Sequence, residues 1–482
     1  MTSTAARVPH ADGAAPHPAP GAAVLPPAPP VLGRAARADA AVRLGAGALL
    51  WLALLLVTAW WVEDGGVQDL GGWVSGLTSA GRLAGLGASV LLLAQVVAMA
   101  RLPILERAYG QDRLTRVHRV LGLTSFNLML AHVVIVTWGY AAGSALRWPG
   151  ELWDLSVHEP GMLLAVAGFA CLVMVVVTSL RAARRRLRYE SWHLLHLYAY
   201  LGVALALPHQ LWTGEDLTAS TARTVFWWTV WGVAIGAVLV WRVGRPVALN
   251  LRTRLHVTAV VPEAAGTWSV HLGGERLDLL RADAGQFFTF RFLAGKGWTR
   301  GNPYSLSAAP DGAGLRITVA ASGDGSAAVG ALTPGTRVLV EGPYGRLTHR
   351  ARSRRGVLLI GAGVGVTPLR ALAEGLDYAP GEAVYLERYT REPLFTAELQ
   401  DLHARRGLTV LRLPGRRRAA GSWLGDGVGP ADDLAALTYW VPDVAERDVY
   451  VCGPPGWTAL VTRTLADAGL PADRLHLETF EW

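Results

Sequence analysis

Six runs of roughly twenty mostly apolar residues, near 44–62, 81–100, 117–140, 160–180, 191–211 and 224–243, constrain this chain more than anything else in it. A hydrocarbon core about 30 Å thick is crossed by about 20 helical residues. No water reaches backbone N–H and C=O groups there, so each run must close its own hydrogen bonds as an α-helix. Apolar density falls away after about residue 245. The expected architecture is a six-helix transmembrane bundle followed by soluble domains.

Charge orients the bundle. Arg34, Arg37 and Arg43 precede the first run, Arg101, Arg107, Arg113 and Arg116 follow the second, and RAARRRLR (181–188) follows the fourth. The alternate loops are acidic, with Glu63, Asp64 and Asp69 in one and Glu215 and Asp216 in another. By the positive-inside rule both termini face the cytoplasm, across the cell membrane. Net charge is +8, but the arginines cluster beside apolar runs. That pattern reads as topology, so the lipid bilayer is the expected partner and nucleic acid is not.

Two cysteines, Cys171 and Cys452, are too few for a four-cysteine iron–sulfur cluster. One lies in an apolar run and the other far into the soluble half, so no disulfide is expected. Residues 1–40 are Ala/Pro-rich and read as a disordered tail without a core of its own. The tail does not read as a cleaved signal, because the first apolar run starts only near Leu44.

Two spans carry paired histidines, which are costly in hydrocarbon and therefore functional candidates. His118 and His132 lie 14 residues apart in the third run, His196 and His209 lie 13 apart in the fifth. At a rise of about 1.5 Å per residue the members of each pair stand roughly 20 Å apart along the helix. Both runs cross in the same direction, which matches His118 with His196 on the inner side and His132 with His209 on the outer. Neutral imidazole is a strong axial ligand for haem iron, and the pairs suit two stacked haems. These would be b-type, since no C-x-x-C-H attachment sequence exists. One difficulty is rotational: at about 100° per residue, His209 falls about 140° around the helix from His196. Pro208 offers relief through a kink or bulge. His193, one turn before His196, is a rival ligand.

Beyond Arg245, short alternating segments (LHVTAVV, TWSVHL, QFFTFRF, LRITVAA, RVLVEG) predict an antiparallel β-barrel over 246–352. From 353 to 482, strands alternate with helical stretches, predicting an α/β domain with a parallel sheet. RGNPYSLSAA (300–309) suits a flavin on the barrel: Tyr304 can lie against the isoalloxazine and Ser305 can hydrogen-bond it. SGDGS (322–326) supplies a turn whose N–H groups and Ser326 hydroxyl can hold a pyrophosphate. GPYG (342–345) reads as a structural turn. GAGVGVTP (361–368) follows a strand and opens a helix, the context in which small residues admit a dinucleotide pyrophosphate. CGPPGW (452–457) follows another strand at the same sheet edge. Arg388, Arg391 and Arg416 are candidates for a 2′-phosphate, favouring NADPH over NADH. Phe480 and Trp482 are a terminal aromatic pair available to cover a flavin face.

Together these residues resemble the ferric reductase and NADPH oxidase family, in its bacterial ferredoxin-reductase-like branch, over about 42–482. The resemblance implies a dihaem domain (41–245), an FAD barrel and an NAD(P) domain. It also implies electron flow from NADPH through FAD and two haems to a small-molecule acceptor outside, ferric iron or oxygen. Carried over by position, the haem ligands are His118, His132, His196 and His209. The FAD set is Asn302, Pro303, Tyr304, Ser305, Leu306 and Ser307, with Gly323 and Ser326 in the following turn. The nucleotide set is Gly361, Gly363, Gly365, Thr367, Pro368, Cys452, Gly453 and Pro454. Tyr304, Ser305, Cys452 and Trp482 are the expected catalytic residues. Two positions depart from the eukaryotic pattern. Asn302-Pro303 replaces the usual His-Pro, and Val136 stands where a second histidine of the oxygen-reducing site is common. A haem-containing subunit that feeds a partner protein or quinone is the alternative reading.

Overall fold

The computed structural model describes residues 33–212, 214–295, 298–426, 429–430 and 432–479. Six helices among them are long and apolar enough to cross a membrane. They are α1 (Arg34–Glu63), α2 (Trp73–Met99), α3 (Gln111–Tyr140), α4 (Met162–Ser179), α5 (Tyr189–Trp212) and α6 (Thr221–Ala237). A π-helical turn (Val238–Gly244) and one further helical segment (Arg245–Thr253) prolong α6. The first helix starts at Arg34, so residues 34–40 are helical rather than tail; residues 1–32 lie outside the described residues. Alanine and arginine are strong helix formers and carry the helix past the end of the apolar run.

The bundle turns much of its apolar surface outward. Leu49, Trp51, Leu52 and Leu55 of α1 and Val225, Trp228 and Val233 of α6 are all exposed, as lipid contact requires. Between helices, small residues set the spacing. A Cβ on Gly168 of α4 would stand 2.7 Å from the Gly202 carbonyl oxygen of α5, and one on Gly202 would stand 2.9 Å from the Gly168 oxygen. The acidic loops do more than mark a face. Arg82 Nε donates to Asp216 at 2.9 Å, and Arg223 donates to Asp64 at 2.9 Å and to Glu63 at 3.2 Å. These pairs compensate Arg223, which is buried, and the partly exposed Arg82. Arg37–Leu251 forms one compact unit, and the chain from Arg252 onward belongs to the other.

The second unit has two layers of chemistry. Six strands form the barrel: β1 (His256–Ala264), β2 (Thr267–Gly273), β3 (Phe287–Phe292), β4 (Asn302–Ser305), β5 (Leu315–Ala320) and β6 (Val338–Tyr344). They make two antiparallel sheets, β1-β2-β5 and β4-β3-β6, joined by bridges at His256–Arg337 and Leu306–Ile317. Alternation along β3 sends Phe288, Phe290 and Phe292 into the core with Leu306, Ile317 and Val340.

Five parallel strands follow: β7 (Val357–Ala362), β8 (Ala383–Arg388), β9 (Thr409–Leu413), β10 (Asp448–Gly453) and β11 (Leu475–Thr479). Helices α7 (Val366–Gly375), α8 (Thr396–Arg406), α9 (Asp433–Trp440) and α10 (Pro455–Asp467) accompany them. Every residue of β7 and of β10 is buried, as expected for parallel strands covered on both faces. The strand order is β11-β10-β7-β8-β9, so the winding reverses between β7 and β10. Ligands of such sheets bind at the carboxyl ends of the strands at that reversal.

Candidate functional site

In the membrane unit, α3 carries His118 and His132 while α5 carries His196 and His209. The rings of His118 and His196 approach each other edge-on, with centroids 6.0 Å apart and planes at 68°. Two imidazoles bonded at about 2 Å to one metal from opposite sides have centroids about 6 Å apart. His132 Nδ1 lies 2.8 Å from the Gly81 carbonyl oxygen of α2. A carbonyl only accepts, so Nδ1 carries the proton and Nε2 keeps its lone pair. Gly85, one turn on, leaves room for that ring, since a Cβ there would stand 2.6 Å from Nδ1. His196 Nδ1 meets Ser179 Oγ at 3.2 Å, and Trp192 donates to the same oxygen at 3.2 Å. His118 Nδ1 is buried, and the ring lies beside the Gln95 backbone of α2. Helix α5 continues through Pro208. Among the described residues, no group of three or more His, Cys, Asp or Glu is placed to hold a metal ion. A porphyrin supplies four ligands itself, so a pair of imidazoles fits a haem where it would not fit a bare ion.

In the soluble unit the flavin string divides by direction. Tyr304 is half-buried at the end of β4, and burial pushes its phenol up to about 12. Ser305 is buried and its Oγ has no hydrogen-bond partner, which suits a bound ring with polar edges. Leu306 and Ser307 are fully buried and turn elsewhere. Leu306 joins the barrel core, and Ser307 Oγ accepts from Arg316 at 3.1 Å and Thr318 at 2.8 Å. Ser326 closes its own turn, accepting from the Ser322 and Gly323 N–H groups at 2.9 and 3.0 Å. Asn302 and Arg300 lie against Gly325, so the flavin string and the Gly-rich turn meet. Sequence reasoning passed over Arg300, although it lies four residues before Tyr304 in the same string.

The nucleotide string lies at the winding reversal. Gly365 is fixed by contact: a Cβ there would stand 2.4 Å from the Cys452 carbonyl oxygen and 2.7 Å from Gly453 Cα. Thr367 Oγ1 donates to the Val364 carbonyl at 2.9 Å, tightening the entry to α7, where Pro368 is also buried. Gly361 is the penultimate residue of β7. Gly363 has φ +57° and open space on its side-chain face. A cleft of about 370 Å³ opens here, lined by Gly363, Pro454, Glu387, Arg388, Arg391 and Arg417 among others. Arg416 is exposed and does not line it. Burial, then the Arg417 charge, draw the Arg388 guanidinium below its ordinary value, with the Asp426 charge opposing. Glu387, missed in the sequence, sits buried on the cleft wall, where desolvation pushes its carboxyl up and the Leu394 N–H donates to it at 2.9 Å.

Cys452 is fully buried, and in register with Glu478 of β11, another residue the sequence reading did not single out. Burial, with the Glu478 charge adding, pushes its thiol well above the ordinary range. Native protein treated with iodoacetamide at about pH 8 is therefore expected to leave Cys452 unmodified, because the thiolate is the nucleophile. Peptide mass spectrometry reads this; rapid alkylation of Cys452 in folded protein contradicts it. Phe480 and Trp482 lie outside the described residues.

Residues 84–207 match the family described as "Ferric reductase like transmembrane component", a stretch that contains His118, His132 and His196. Over 209 residues the chain is 32% identical to the ferredoxin–NAD(+) reductase component of the alkene monooxygenase system of Xanthobacter autotrophicus, covering 41% of this chain and 61% of that protein. The chain joins a ferric-reductase-like membrane domain to a ferredoxin-reductase-like FAD/NAD-binding module. This module is also similar to the flavohemoprotein of Deinococcus radiodurans, 32% identical over 196 residues, or 37% of this chain and 46% of that one. The chain thus spans about half to three-fifths of the length of these curated relatives. Among solved structures, the FAD/NAD-binding domain of a Vibrio cholerae nitric oxide dioxygenase aligns with 48% of this chain and 99% of its own. Its sequence identity is 26% and the TM-score 0.39.

Proposed function

We propose that this protein is a transmembrane oxidoreductase of the ferric reductase or NADPH oxidase type. It passes electrons from cytoplasmic NADPH through FAD and two b-type haems to ferric iron or oxygen on the outer face of the cell membrane. The observation that carries this reading is the pair His118–His196 at 6.0 Å, with a second histidine farther along each of the same two helices.

In this reading His118 with His196, and His132 with His209, hold the haems, which supply one-electron relays when bound. Gly81 and Ser179 fix ring orientation by occupying the Nδ1 atoms of His132 and His196. Tyr304 and Ser305 hold the flavin ring, and Asn302, Gly323 and Ser326 shape the turn for its phosphates. Bound FAD supplies the exchange between hydride and single electrons. Gly361, Gly363, Gly365, Thr367, Pro368, Gly453 and Pro454 cradle the NADPH pyrophosphate, and Cys452 backs the nicotinamide. Both termini are cytoplasmic by the arginine pattern of the loops. Val136 packs against Gly81 beside the His132 position and offers no second imidazole there, which favours ferric iron over oxygen. The similarity to a ferredoxin–NAD(+) reductase component supports a second reading, in which electrons leave to a partner protein or quinone. NADPH-driven reduction of ferric chelates and of oxygen, with and without superoxide dismutase, separates these acceptors. Ferric chelate reduction insensitive to the dismutase is expected, and no reduction of either acceptor favours the partner-protein reading.

For the nucleotide, Arg388, Arg391 and Arg417 are the 2′-phosphate candidates that line the cleft. Arg417→Ala is expected to weaken NADPH by about tenfold and NADH little, since one charge-assisted contact is lost. Arg416→Ala is expected to change neither. Equal weakening of both nucleotides by Arg417→Ala would show that it does not read the 2′-phosphate.

A further inference from the structure

The barrel and the parallel sheet have distinct main cores, and their mutual register depends on what crosses between them, Leu347 and Ala264 against the sheet's apolar cluster included. One polar lattice does so. Arg316 of β5 makes a two-pronged contact with Glu398 of α8, at 2.7 and 2.9 Å. Arg370 of α7 binds the same carboxylate and also Glu374. Both guanidinium groups converge on the Ser307 carbonyl oxygen, Arg316 at 2.8 Å and Arg370 at 3.3 Å. Glu374 accepts from the Ala309 N–H at 2.7 Å. Two arginines and two glutamates balance in charge, and Arg316 and Arg370 are largely buried.

The ends of this lattice matter more than its middle. Ser307 lies two residues past Ser305, the buried hydroxyl left for the flavin ring. Arg370 lies on the helix that opens straight after the Gly363–Gly365 turn, where the nucleotide pyrophosphate would bind. Glu398 touches neither ligand position. It holds the arginine of the barrel and the arginine of the nucleotide helix in one fork.

Resting on the electron-transfer reading above, we infer that Glu398 is a positioning residue that sets the register between the flavin ring and the nicotinamide through Arg316 and Arg370. Hydride transfer is sensitive to such register, because a misplacement of about 1 Å arising far from the chemistry can cost about a hundredfold. Glu398→Gln keeps volume and loses the charge. Arg316→Lys keeps charge and loses the planar fork.

The test is anaerobic stopped-flow reduction of the flavin by NADPH in the full chain in detergent. It is run beside FAD content, the visible circular dichroism of the flavin and NADP⁺ titration. Both variants are expected to lower the limiting rate of flavin reduction by about tenfold or more, to change the flavin dichroism, and to leave FAD content and NADP⁺ affinity unchanged. Should one variant fail to accumulate, the other carries the same test. An unchanged limiting rate in a folded variant overturns the inference, and so does loss of FAD, which would mean that the lattice merely secures the flavin strand. If flavin in the unaltered chain is not reduced by NADPH, the electron-transfer reading falls first and this one with it; a slowed variant beside an active parent isolates Glu398.

Discussion

His132→Ala is expected to remove one of two haems and to abolish reduction of external acceptors, while NADPH still reduces the flavin at its normal rate. His132 Nδ1 is held by the Gly81 carbonyl at 2.8 Å, so Nε2 is the atom available to iron. Alanine offers no ligand, and the ring's place beside Gly85 cannot be taken by a neighbour without breaking the packing of α2 on α3. The pair His118–His196 is untouched and is expected to retain the other haem. The FAD/NAD module belongs to the other compact unit and keeps its own chemistry. Haem and FAD are counted in purified protein, and flavin bleaching is followed separately from acceptor reduction. Two haems retained by the variant would contradict the ligand assignment. His193→Ala is the matched control and is expected to keep both, because His196 is the ring that approaches His118.

Gly365→Ala is expected to give the largest effect in the soluble unit. The added Cβ would stand 2.4 Å from the oxygen and 2.6 Å from the carbon of the Cys452 carbonyl, and 2.7 Å from Gly453 Cα. These are backbone atoms of β10 and cannot swing aside as a side-chain tip would. The loops after β7 and β10 must therefore separate, and overpacking of this kind costs about 1–3 kcal/mol or more. A melting temperature lower by several degrees is expected. NADP⁺ affinity should fall by more than about tenfold, since those two loops form the proposed pyrophosphate cradle. FAD content should hold, because the barrel has a separate core. Unchanged nucleotide affinity with an unchanged melting temperature would mean that the two loops do not approach as described.

Much of the architecture was legible because its signals are long. Six apolar runs announced six helices, and period-two segments followed by strand–helix alternation announced the barrel and the parallel sheet. Boundaries were less legible: Arg34–Arg43 is helical by the propensity of Ala and Arg, which a search for apolar runs does not weigh. The four histidines could be named from spacing and matched from crossing direction, but how closely the rings approach depends on how α3 and α5 are rotated in the bundle. Side-chain direction was the recurrent gap. Ser305 and Ser307 look equivalent in NPYSLSAA, yet one hydroxyl is left for a ligand and the other is consumed by Arg316 and Thr318. Arg416, Arg417 and Arg418 are consecutive, and only the path of the loop decides that Arg417 lines the cleft. Glu387 and Glu478 carry no distinguishing pattern; strand register and the winding of the sheet give them meaning.

The most direct measurement counts haem b and FAD in the detergent-purified chain and records the haem spectrum after anaerobic addition of NADPH. Two haems per FAD are expected, both reduced by NADPH as fully as by dithionite. A preparation whose flavin is reduced by NADPH but which contains no haem, or whose haem responds to dithionite alone, would contradict it.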